Sequence, residues 1–145
     1  MSNVIAIDPG LYKCGVIVAD IKEKKVYEAL VITSHSLLKY VNKKYQNDKK
    51  LEILIGNGTS SKNYIRDLNQ LVPNVIIAKE KNSTYRAKQR YFEIFPILGI
   101  KCFLPREIFI LNKNLDALAA LIIMEDYFQV KFDLSEKIKT KTWLK

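Results

Sequence analysis

The opening of the chain constrains its fold most: Val4-Ile5-Ala6-Ile7 leads into Asp8-Pro9-Gly10, and after a short gap Gly15-Val16-Ile17-Val18-Ala19 ends at Asp20. An unbroken apolar run of this kind reads as a strand buried on both faces. Pro9 and Gly10 stop it directly after the acid, so the second run returns beside the first as a hairpin. Asp8 is left at the end of a buried strand, where desolvating a carboxylate is costly unless a cation meets it. A metal ion is the natural candidate; a solvated acid in an ordinary Asp-Pro-Gly turn is the plain alternative.

The rest of the chain extends this start into a sheet. Strands are expected over about 3–9, 14–20 and 25–33, which makes an antiparallel meander. A helix to about residue 45, a strand at 51–55, a helix stopped by Pro73 and a strand at 74–79 follow. A helix capped near 82–84 and a very apolar helix over 115–128 complete the pattern, while 97–105 is open between strand and loop and 106–113 is unassigned. The expected class is α/β, with a mixed five-stranded sheet, a three-stranded antiparallel meander then parallel strands, flanked by helices. Residues 1–130 form one domain in this reading, and 131–145, which alternates Lys with apolar residues and holds the sole Trp143, forms a loosely held basic tail.

Composition narrows the partners. Lys and Arg outnumber Asp and Glu by 24 to 15 for a net charge of +9, which favours a polyanion, and 48% hydrophobic residues give a real core rather than a disordered basic arm. Two cysteines, Cys14 and Cys102, lie in apolar stretches without metal-type spacing and are expected as core residues of a reduced protein. Met1-Ser2-Asn3 runs straight into the first strand and no segment approaches ~18 uninterrupted apolar residues, so the expectation is a cytoplasmic protein with no membrane partner. The only histidine, His35, sits near a helix cap, which excludes most His-dependent catalysis within the chain.

Three acids fall at element ends that such a sheet brings to one edge. Asp8 ends the first strand, Glu80 ends the fifth, and Asp116 opens the last helix, where Ala119 and Ala120 are small enough for close packing on the sheet. Each has a duller reading alone: Glu80 as a solvated charge between Lys79 and Lys81, Asp116 as a first-turn acid favoured by the helix dipole. Together they make a set of hard oxygen donors suited to Mg2+ or Mn2+, ions that serve in-line phosphodiester cleavage. Gly56-Asn57-Gly58-Thr59-Ser60 with Lys62 precedes a helix and offers backbone N–H groups to a phosphate. Arg86, Lys88 and Arg90 with Tyr85 suggest a nucleic-acid track, with a solvated helix face as the alternative.

Ile7-Asp8-Pro9-Gly10 with Lys13 and Gly15-Val16, Glu80 with Ser83-Thr84 and Ala87, and Asp116 with Ala119-Ala120 resemble the YqgF-type or RuvX-like resolvases of the ribonuclease-H-like superfamily. Gly56 to Thr59 and the run from Glu80 to Tyr91 are similar to a cyanobacterial-looking branch of that family. The resemblance spans about residues 3–128. It implies Asp8, Glu80 and Asp116 as catalytic, metal-binding acids, and a nuclease for Holliday-junction DNA or ribosomal RNA precursors. With it, Lys13, Asn57, Thr59, Lys62, Arg86 and Arg90 are the expected contacts to nucleic acid, and a homodimer stays open. The chain departs from the family at Gly56-Asn57-Gly58, where Gly-Leu-Pro is usual, and it has no clear fourth acid near Asp116. A non-catalytic nucleic-acid-binding module on the same fold is therefore the main rival, and a sugar-kinase-like phosphoryl transferase, which needs a second domain, is a distant third.

Overall fold

The structure is a computed structural model that describes residues 3–80, 82–111, 113–138 and 141–144. β1 (Asn3–Asp8), β2 (Lys13–Asp20) and β3 (Lys25–Thr33) form the antiparallel meander, with Asp8 directly across from Gly15. β4 (Glu52–Gly56) pairs parallel to β1, and β5 (Val75–Ala78) parallel to β4. Parallel neighbours require crossovers, and α1 (Leu37–Asn47) and α2 (Ser61–Leu71) supply them.

Side-chain alternation sets the layers. Val4, Ala6, Ile17 and Ala19 join the core under α3 (Ser83–Ile94) and α5 (Asp116–Phe128), while Ile5, Ile7, Cys14 and Val16 join the core under α1 and α2. Every residue of α5 from Ala117 to Glu125 is buried, so this helix lies within the protein rather than on its surface. Its first turn rests on β2 at Gly15, where a Cβ would overlap the backbone of Asp116 and Ala117. The missing side chain at that one position brings the start of α5 against the strand partner of Asp8.

The sheet has six strands rather than the five expected, in the order β5-β4-β1-β2-β3-β6. The extra strand, β6 (Asp133–Leu134), pairs parallel with the start of β3 and comes from the segment expected as a loose tail. Described residues of that segment pack on the domain: Phe132, Ile138 and Leu144 are in the core, and the Trp143 indole N–H donates to the Ile138 carbonyl at 2.9 Å. Between α3 and α5 the chain makes a 3-10 turn (Gly99–Phe103) and the four-residue α4 (Glu107–Ile110), neither of which sequence patterning resolves. This excursion lies outside the packed layers, with Ile100 and Phe103 85% and 87% exposed. Cys102, expected in the core, is exposed with it, whereas Cys14 is buried. Among the described residues, no helix is long and apolar enough to cross a membrane.

Candidate functional site

Asp8 closes β1, Glu80 follows β5 by two residues, and Asp116 is the first residue of α5. Because β1, β4 and β5 are adjacent and parallel, their carboxyl ends share one edge. Asp8 feels the other two there: it is pushed from 3.8 up to about 7, first by burial and then by the negative charges of Glu80 and Asp116. Burial also raises Glu80, against the nearby Gly58 backbone, which lowers it. Among the described residues no ion pair involves any of the three.

Each acid is held through its neighbours. The Tyr64 hydroxyl of α2 donates to the Gly10 carbonyl at 2.8 Å and fixes the turn after Asp8. The Glu80 N–H donates to Asn57 Oδ1 at 3.0 Å, and the Asp116 N–H to Asn114 Oδ1 at 3.0 Å. Asn114 in turn donates its N–H to the Leu144 carbonyl at 2.8 Å, so the docked C-terminal segment steadies the start of α5.

Two clefts flank the Asp8 turn. One of about 710 Å³ is lined by Lys13, Thr84, Lys88, Lys113, Asn114 and Asp116. The other, also about 710 Å³, is lined by Gly10, His35, Thr59, Ser60, Lys62 and Tyr64. Lys13 thus shares a cleft with Asp116, and Thr59 and Lys62 share the second. Lys113 belongs to the first cleft without any sequence signal beyond its place three residues before Asp116. Asn57 instead faces Glu80.

Arg86 and Arg90 are placed elsewhere. Arg86 makes a two-pronged ion pair with Asp126, one prong at 2.7 Å. Arg90, whose side chain is 12% exposed, donates to Glu125 at 2.8 Å and to the Phe132 carbonyl at 2.9 Å. Both guanidinium groups brace α3 to α5; that of Arg90 is largely covered, whereas the Arg86 side chain stays 40% exposed.

As a metal site the cluster is incomplete in geometry but suitable in chemistry. Among the described residues no three His, Cys, Asp or Glu side chains are gathered as a ready-made site. The donors are nonetheless all hard carboxylates, among the described residues no ion pair meets them, and the buried Glu80 Oε1 has no hydrogen-bond partner.

No family model and no curated protein matches the chain. Among solved structures it is similar to T. thermophilus RuvC in complex with Holliday junction substrate, at 14% identity and a TM-score of 0.47, over 92% of this chain and 100% of that one. A likeness at that level assigns no residue, and the site rests on its own geometry.

Proposed function

We propose that this chain is a divalent-metal-dependent nuclease on a ribonuclease-H-like fold of the YqgF kind, hydrolysing phosphodiester bonds in branched DNA or precursor ribosomal RNA. The observation that carries this reading is the cluster of three carboxylates at the sheet edge, uncompensated by any described ion pair, with Asp8 driven up to about 7 by burial and by the other two charges. Asp8, Glu80 and Asp116 would hold Mg2+ or Mn2+, drawing closer as the ion cancels their repulsion. The ion would supply activation of water and charge for the leaving oxygen. The protein's share is placement: Lys13, Lys88 and Lys113 hold phosphates along the cleft that contains Asp116, and Thr59 and Lys62 hold a second segment on the other side of the Asp8 turn. One cleft contains Asp116 and the other borders the turn after Asp8 at Gly10, an arrangement that suits a nucleic acid with more than one strand at the cleavage point.

The test is incubation with manganese and a panel of four-way junctions, flaps and ribosomal RNA precursors. Cleavage should appear with manganese and vanish in Asp8→Asn, since Asn offers a neutral oxygen where the ion needs charge; full activity in EDTA would reject the proposal. The absence of a ready-made metal arrangement among the described residues favours a second reading, a non-catalytic nucleic-acid-binding module. Salt-sensitive binding of the same panel without metal-dependent cleavage would establish it.

A further inference from the structure

We infer that the Gly56-Asn57-Gly58 loop is a cradle that sets the position of the Glu80 carboxylate, with Asn57 a positioning residue rather than a phosphate contact. The inference rests on the reading of Glu80 as a metal ligand.

Pairing of β4 with β5 puts Gly56 beside Ala78, so the two residues beyond each, Gly58 and Glu80, leave the sheet side by side. Two hydrogen bonds lock them. The Asn57 N–H donates to the Ala78 carbonyl at 3.0 Å, and the Glu80 N–H donates to Asn57 Oδ1 at 3.0 Å. The glycines leave room for the carboxylate itself: a Cβ on Gly56 would overlap it, and one on Gly58 would lie 3.0 Å from Oε2. Glu80 therefore folds back over the loop, with Oε1 buried and without a hydrogen-bond partner.

This geometry argues against a phosphate grip. Such a loop must offer free N–H groups, and here that of Asn57 is already committed to the Ala78 carbonyl and that of Ser61 to the Gly58 carbonyl, while the negative Glu80 carboxylate lies against Gly56 and Gly58. Asn57 also turns an acceptor oxygen to the backbone of Glu80. The loop holds one charged side chain at a fixed place and leaves one of its oxygens uncommitted.

The test is a double-mutant cycle read by manganese affinity in isothermal titration calorimetry, alongside the metal-free melting temperature. Gly56→Ala should fold like the parent, because the displaced atoms are the far end of a flexible side chain, yet bind manganese at least about tenfold more weakly. Glu80→Gln should weaken binding comparably, and Gly56→Ala should add nothing in that background. Asn57→Ala should weaken manganese binding and Asn57→Asp, which keeps the acceptor, should restore it; this arm carries the test if Gly56→Ala fails to fold. Additive losses in the double variant, or unchanged affinity in Gly56→Ala and Asn57→Ala, would overturn the cradle alone. A parent protein that binds no manganese would overturn the reading of Glu80 on which it stands, whereas manganese binding without cleavage would refute the nuclease and leave the cradle intact.

Discussion

At the C-terminal end of α5, Glu125 and Asp126 are each met by an arginine of α3, and Glu125 also accepts the Phe132 N–H at 2.9 Å. At the N-terminal end of the same helix, Asp116 acts on Asp8 together with Glu80, and among the described residues no ion pair reaches them. The contrast is not a shortage of cations, since the chain carries 24 Lys and Arg. Paired acids tie α3, α5 and the chain entering β6 into one unit. Unpaired acids weaken the folded state by mutual repulsion, and on the proposed reading a cation from outside completes them.

The comparison breaks most visibly at its paired end. Arg90→Met would leave Glu125 buried without its partner, and urea unfolding should show a loss of about 3 to 5 kcal/mol. A loss below about 1 kcal/mol would mean that the pairing is incidental.

At the unpaired end the signature is pH dependence. Asp8 has a folded-state pKa raised from 3.8 to about 7, so between those values the folded protein binds more protons than the unfolded chain. Stability of the metal-free protein should therefore fall as pH rises through that window, by up to about 4 kcal/mol in all. Asp8→Asn should flatten the profile, and a flat profile in the parent protein would contradict the shared cluster.

The smallest effect sharpens the assignment of cations to the two ends. Lys13→Ala and Lys88→Ala should each reduce the salt dependence of nucleic-acid binding by about one unit of slope, while Arg86→Ala, already paired with Asp126, leaves it unchanged. A lowered slope in Arg86→Ala alone would return that helix face to the nucleic acid.

Sequence made one end of α5 more legible than the other. The meander, the parallel strands and the long apolar helix show in their hydrophobic patterns, and Asp8, Glu80 and Asp116 can be placed because each lies at or just beyond the end of such an element. The spacing of Arg86 and Arg90 shows that they share a face of α3, but nothing within α3 says that Glu125 and Asp126 will cover it. Position 113 lies in a connector with no period, so Lys113 carries no signal. β6 is two residues long and gains its place from Phe132, Ile138 and Leu144, whose burial is decided by the finished sheet rather than by local pattern.

The central claim is that Asp8, Glu80 and Asp116 await a divalent ion, and unfolding free energies at pH 8, with and without manganese, test it most directly for the parent protein and Asp116→Asn. At about 100 times its Kd, manganese should stabilise the parent by ~2.7 kcal/mol and Asp116→Asn far less. Equal gains in both proteins, or no gain in the parent, would contradict it.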